Sequence, residues 1–492
     1  MTLLGQFLRT GVNSVQYVHE LIHSSHLSIS WTRILGRRVL LIKSELDYDL
    51  ARHSKDLSLA SFASITLCKP IFGVSDDGVA LLRQIDTRPI WAAEFLDANS
   101  AKAALDSALR YIETTFHTLP TESQTINFNA WLFHISAGAT SHSLWGVDNP
   151  WLKSSGLMND FYEFQQVFES LYLPLAPLTA PRAHSLRHTL LSKLRSFHAA
   201  HSTIRSDNIA HRLNIITSPS STHQHHQKRN HQQQQQPWHT NPDYSTIELV
   251  TSLAILPTVG NITIWLLRHL FSHPALLAQV RSELTNLITT QSSTSTSTPT
   301  TSKPTLNLSQ IRTSCPYLMA SWYETLRLHM TGVAREATQG FTLAGGEEIE
   351  KGDILFLPMA QSNRDARVWD RPGEFWPERF VTRSVGGGDG EEKREKLAYA
   401  LTRKVKGFGV AGNLCPGRYH SFGVIMGVVV SVMVMCEVEV VGKGGWEARK
   451  PVVAGGVSAG GFDRCGDEVE VVLRRKGGRG LALEWEGGMF RG

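Results

Sequence analysis

Apolar positions recur at helical spacing along Ala101 to Leu119, Phe161 to Leu173, Ser185 to Ala199 and Tyr244 to Leu287, and again from Tyr317 to Met330. Each stretch predicts an amphipathic or buried helix. Two regions alternate as strands do: Arg33 to Ile42, which reads as a hairpin turning at Gly36, and Phe341 to Phe356, which alternates around two glycine-rich turns. The apolar run from Phe422 to Cys436 falls short of the roughly 20 residues that span a bilayer and reads as a buried core element. The pattern predicts a mainly α protein with small β-sheets towards the two ends of the chain.

Three polar tracts interrupt this pattern: residues 218–239 rich in Ser, His and Gln, 291–302 rich in Ser and Thr, and 384–396 rich in Gly and charge. None has the apolar surface to fold by itself, so they are expected as loop insertions in one catalytic unit spanning residues 1–492. His223, His225, His226 and His231 lie close together in the first tract. Glutamine-rich surroundings without ordered partners favour a surface loop there over a metal site.

Composition narrows the function. The 492 residues are 41% hydrophobic and 19% charged, and a net charge of +5 with no concentrated basic run argues against nucleic acid as a partner. Residues Met1 to Ser24 form an amphipathic pattern broken by Gln6, Arg9 and Asn13, which predicts neither a signal peptide nor a membrane anchor. The five cysteines, Cys68, Cys315, Cys415, Cys436 and Cys465, are scattered and form no C-x-x-C pair. That excludes a disulfide framework and a zinc site and directs attention to a single cysteine with unusual neighbours.

Cys415 has them. The stretch Phe408-Gly409-Val410-Ala411-Gly412-Asn413-Leu414-Cys415-Pro416-Gly417-Arg418 is a glycine-rich loop that ends in one cysteine and leads into the apolar run. Glycines let backbone approach a flat cofactor, and a cysteine at a helix start has its thiolate favoured. Upstream, Glu324-Thr325-Leu326-Arg327 places opposite charges on one helix face. Between them, Phe375-Trp376-Pro377-Glu378-Arg379-Phe380 supplies a second guanidinium that would complete a buried Glu324–Arg327–Arg379 network.

In that order and spacing, Glu-x-x-Arg, Pro-Glu-Arg-Phe and the Phe408-to-Gly417 loop resemble the signature series of cytochromes P-450. Asn129 to Trp151 resembles the group of sterol hydroxylases, prostacyclin synthase and their fungal relatives. The resemblance implies a fold in which a long distal helix and the cysteine loop sandwich haem b. It implies Cys415 as the iron ligand, Phe408, Gly409, Gly412 and Gly417 shaping the loop, and Arg335 facing a haem propionate. Glu324, Arg327 and Arg379 would form the structural network. Thr258 on the distal helix would be the catalytic hydroxyl, with Asn261 one turn on as a second relay candidate.

The same resemblance implies a monooxygenase acting on a sterol, terpenoid or other lipid-like molecule. Electrons would come from NADPH through cytochrome P-450 reductase, met by Arg403, Lys404 and Lys406, at the cytosolic face of the endoplasmic reticulum. The chain departs from the pattern at Ala411 and Asn413, where glycine and Arg or His are usual, and at Pro257, where an acid usually precedes the threonine. It also starts beyond the usual anchor and hinge, so the expectation is either a truncated sequence or peripheral membrane contact. The lost acid leaves open a peroxide-rearranging isomerase of the prostacyclin-synthase type, or a haem-binding protein of this fold with little turnover.

Overall fold

The computed structural model describes residues 29–34, 37–42, 46–84, 91, 94–172, 175–200, 242–294, 305–383, 395–410, 412, 414–457, 461–477 and 480–485. Helix α1 (Ala98–His117) shows the expected stripe, burying Ala101, Leu105, Ala108, Leu109, Ile112 and Phe116. Its N-terminus is capped by Asp97, whose carboxylate accepts from Ser100 N at 2.9 Å. Helix α2 (Phe128–Trp145) is buried on nearly every side. A helix without a polar face has no stripe, and periodicity alone passes over it.

Helices α3 (Leu157–Val167) and α4 (Pro181–Ala200) follow, the first continuing as a 3-10 turn from Phe168 to Tyr172. The expected stretch from Tyr244 to Leu287 is two helices, α5 (Pro242–Phe271) and α6 (Pro274–Thr294). Pro274 cannot donate to the preceding turn, so the chain breaks there. Helices α7 (Pro316–His329) and α8 (Arg418–Met435) complete the bundle.

Helix α5 runs through the centre, packed against α2, α8, α4 and α7, while α1 braces α2 and α8. Two glycines allow the closest crossings. A Cβ on Gly260 of α5 would meet the Phe133 ring at 2.6 Å, and one on Gly423 of α8 would meet Leu105 at 2.5 Å. Two helices, Asp243–Phe271 and Arg418–Met435, are long and apolar enough to cross a membrane, but 72% and 78% of their apolar windows are buried inside the protein. They are core helices.

The main sheet contains β1 (Ile29–Ile34), β2 (Arg37–Ile42), β3 (Leu57–Ser58), β4 (Val333–Ala337) and β5 (Ile354–Leu357), in the order β1-β2-β5-β4-β3. The hairpin is therefore present and begins four residues earlier than expected; Gly36 lies outside the described residues. The alternating stretch Phe341 to Phe356 resolves into a small hairpin, Phe341–Thr342 with Glu348–Ile349, and then β5. A second sheet joins β6 (Cys436–Val440) to Gln124–Asn127 through a later strand, and β7 (Asp463–Cys465) pairs with Val453–Val457. That later strand is β8 (Glu470–Arg475). It is not the last, because Ala482–Glu484 pairs in parallel with Thr305–Asn307.

Two expected insertions contain regular structure at their edges. Helix α6 extends to Thr294, and Glu395–Leu397 pairs with Val381–Arg383. Pairing and helix propagation carry these polar residues where composition predicts loop. The remainder of both tracts, all of 218–239 with its histidines, and residues 1–28 lie outside the described residues.

One buried acid ties two helices end to side. Glu283 of α6 accepts Tyr317 N at 2.8 Å and Leu318 N at 3.1 Å, capping α7, whose own N-cap residue Cys315 makes no side-chain cap. Burial raises the Glu283 pKa to about 7 against the pull of those two N–H groups. A raised folded-state pKa means that this group's stabilising contribution is complete below about 4.5 and is lost as pH rises through about 7. Melting temperatures across that window should fall with pH in the native chain relative to Glu283→Gln; parallel curves would refute the assignment.

Candidate functional site

The cysteine loop is closed by its own backbone. Cys415 N donates to Phe408 O at 2.7 Å, and Gly409 and Gly412 take the positive φ values of 104° and 75° that the tight path requires. Gly412 also runs close beneath the short helix Asp47–Arg52: a Cβ there would come within 3.5 Å of both Ser54 and Ala51. The Phe408 ring is half-buried, 6.1 Å from the Trp322 ring of α7. Gly417 is the N-cap of α8 without a side-chain cap, and Arg418 Nη1 donates to Cys415 O at 3.0 Å. Ala411 and Asn413 lie outside the described residues.

Cys415 is exposed, whereas Cys68, Cys315 and Cys436 are buried and all five cysteines are free. Yet burial raises the Cys415 thiol pKa, while the Gly417 N–H, Arg418 and Arg335 pull it down. The sulfur is thus reachable by solvent while the surrounding protein still disfavours its charged form. Arg335, on β4, has its guanidinium pKa pushed down by burial to about 10, with the Cys415 sulfur the group that raises it. It is half-buried and donates to Ala334 O at 2.7 Å. The structure thus brings the predicted ligand and the predicted cation into electrostatic contact.

On α5, Ala254 is exposed amid packed neighbours, and Ile255 and Thr258 are half-buried. Thr258 Oγ1 donates back to Ala254 O at 3.2 Å. Pro257 lies inside the helix and offers no N–H to the carbonyl of Leu253. Asn261 is 3% exposed and its Nδ2 has no hydrogen-bond partner.

Glu324, Arg327 and Arg379 form one ionic network. Glu324 receives Arg327 Nε at 2.7 Å, Arg327 Nη2 at 2.8 Å, Arg379 Nε at 3.2 Å and Trp376 N at 2.9 Å. Arg327 Nη1 donates to the carbonyls of Asn363 and Pro372, both at 2.7 Å, and Nη2 to that of Glu374 at 3.1 Å. Its five N–H groups are then all used. Arg403 and Lys404 are exposed and Lys406 half-buried, just before the loop. Two features were invisible in sequence: the Glu283 cap, and a contact between His269 and His329, which lie far apart in the chain. Helical periodicity places each on a face but pairs neither with a partner.

The described residues therefore define a mainly helical protein with a long central helix and a glycine-rich loop that ends in an exposed cysteine. Residues 256–417 match the cytochrome P450 family. The chain is 24% identical over 446 residues to cytochrome P450 monooxygenase nodJ of Hypoxylon pulicicidum, covering 89% of this chain and 81% of that protein. It is 22% identical over 467 residues to a cytochrome P450 monooxygenase of Gibberella zeae, covering 91% and 82%. A zebra fish cytochrome P450 structure with progesterone shares the fold at a TM-score of 0.63 and 13% identity, covering 94% of this chain and 99% of that one. The retinoic acid bound cyanobacterial CYP120A1 does so at 0.59 and 18%, covering 96% of each. The chain is similar to the cytochrome P450 family in sequence over residues 256–417 and shares its fold.

That family implies haem with a thiolate ligand, and the residues present fit it. Cys415 offers a reachable sulfur, Gly409 and Gly412 keep side chains out of the loop's path, and Arg335 puts a cation near enough to sense the sulfur. Beneath the loop, Glu324 compensates two guanidinium groups, Arg327 with 0% and Arg379 with 4% side-chain exposure. Glu324→Gln should lower unfolding stability by about 3–5 kcal/mol, because it leaves buried charge uncompensated. Urea unfolding followed by tryptophan fluorescence measures this; an unchanged midpoint would mean that the network contributes no stability.

Proposed function

We propose that this chain is a haem-thiolate monooxygenase, a cytochrome P450 with Cys415 as iron ligand, that inserts one atom of O2 into a sterol, terpenoid or other lipid-like molecule. The observation that carries the reading is the Cys415 sulfur, reachable by solvent at the end of the glycine-rich loop and electrostatically coupled to Arg335. When bound, haem supplies the redox iron at which O2 is reduced and split. Cys415 would hold it from below, and Arg335 would pair with a carboxylate on its edge.

Thr258 Oγ1 holds a movable proton in the middle of α5. Rotation about its χ1 would break the 3.2 Å bond to Ala254 O and free the hydroxyl to donate elsewhere. With Pro257 in place of an acid, water replenishes that proton, and the partnerless Asn261 Nδ2 is a second donor one turn on. Electrons come from NADPH through a reductase whose acidic face meets Arg403, Lys404 and Lys406. The chain forms one catalytic unit working at the cytosolic face of the endoplasmic reticulum.

Incubation with reductase and a lipid panel tests the reaction. Product formed at the expense of NADPH supports a monooxygenase; turnover with a lipid peroxide alone, and none with reductase, would establish the rearranging chemistry that the loss of the acid also permits. Thr258→Ala should lower product per NADPH several-fold while NADPH oxidation persists, and unchanged coupling would remove Thr258 from the mechanism.

A further inference from the structure

His329 ends α7 and His269 sits in the last turns of α5, and their Nε2 atoms are 2.9 Å apart. Both rings are buried, at 5% and 7% exposure. The Trp265 ring stacks on His329 with centroids 3.5 Å apart, and Phe375 stacks on His269 at 3.9 Å and 1°. Burial, and then the neighbouring His273 and the cations Arg268, Arg327 and Arg364, hold both pKa values well below the usual imidazole range. The pair is neutral.

Two neutral imidazoles share a hydrogen bond only if one carries its proton on Nε2 and the other does not. His329 Nδ1 lies 3.6 Å from Asp463 Oδ2, beyond hydrogen-bond length but close enough for the carboxylate to favour a proton on that nitrogen. Both Nδ1 atoms are buried without a hydrogen-bond partner, so only the carboxylate distinguishes them. It selects one order: His269 Nε2–H donates to His329 Nε2, and His329 Nδ1–H faces Asp463.

This chain joins three elements at one point. Trp265 Nε1 of α5 donates to Asp463 O at 2.8 Å; Met330, next after His329, bridges Phe462; and Thr331 N donates to Gly461 O at 2.9 Å. Gly332 follows so tightly that a Cβ would meet the Phe356 ring at 2.7 Å and Leu357 O at 2.8 Å. Strand β4, with half-buried Val333 and Ala334 and then Arg335, begins there. We infer that Asp463, His329 and His269, fixed in one tautomer order, position the segment Met330 to Arg335 and so set where the Arg335 guanidinium sits relative to the Cys415 sulfur. His269 and His329 are positioning residues; only the last clause rests on the proposed function.

Hydrogen exchange of the full-length chain tests this. In His269→Phe, which keeps the stack and removes the donor, amides of residues 330–337 should exchange about tenfold faster while the β6–β8 pairing keeps its protection. His269→Gln, whose amide can donate to His329 Nε2, should restore protection. Unchanged exchange at 330–337, a uniform increase across both sheets, or no rescue by glutamine would overturn the inference. Ring-nitrogen NMR of the native chain decides it even if a variant fails to fold: Nδ1–H on His329 with Nε2–H on His269 supports it, and the opposite order overturns it. Both readouts can fail while thiolate ligation stands, or succeed while it falls.

Discussion

The carboxylate of Glu324 is the point from which the proximal half of the molecule hangs. It holds Arg327 with both oxygens, and Arg327 spends its remaining N–H groups on the carbonyls of Asn363, Pro372 and Glu374. Asn363 in turn clamps Lys406 on both sides of its peptide, at 2.8 Å and 3.0 Å, and Gly407 packs against Leu326 of α7. Phe408 follows immediately, and its carbonyl takes the Cys415 N–H. An unbroken series of charge-assisted and backbone hydrogen bonds thus runs from a buried ion pair to the residue proposed as iron ligand. A buried ion pair is a poor source of net stability, but here its geometry fixes a loop that has little side-chain packing of its own.

The distal half is organised differently. Helix α5 is held by apolar packing against α2 and α8, with glycine at the closest crossing, and by buried hydrogen bonds to α2, where Trp145 Nε1 donates to Glu248 and Ser136 Oγ to Thr263 Oγ1. Pro257 leaves one backbone carbonyl without its usual donor beside Thr258.

The motif chemistry was readable because it is local or carried by rare residues. Glu324 and Arg327 are one turn apart, and the glycines and cysteine of the loop follow one another within a few positions, so their proximity needs no tertiary knowledge. Helix α1 was legible because it has one wet face. Helix α2 was not, since full burial erases the contrast that periodicity detects. The break at Pro274 was missed because apolar spacing continues across it. The His269–His329 contact and the Glu283 cap depend on how separate helices dock, and no single segment carries that information. Pro257 and Thr258 were legible as residues, while the hydroxyl's bond back to Ala254 emerged only from the built helix.

The central claim is that the Cys415 sulfur ligates haem iron as a thiolate. The dithionite-reduced carbon monoxide complex of the purified, haem-supplied protein tests it most directly, because an axial thiolate shifts the Soret band strongly to the red. The account predicts that shifted band in the native chain and its loss in Cys415→Ser. A native chain that binds haem and carbon monoxide without the shift, or a serine variant that keeps it, would contradict the claim.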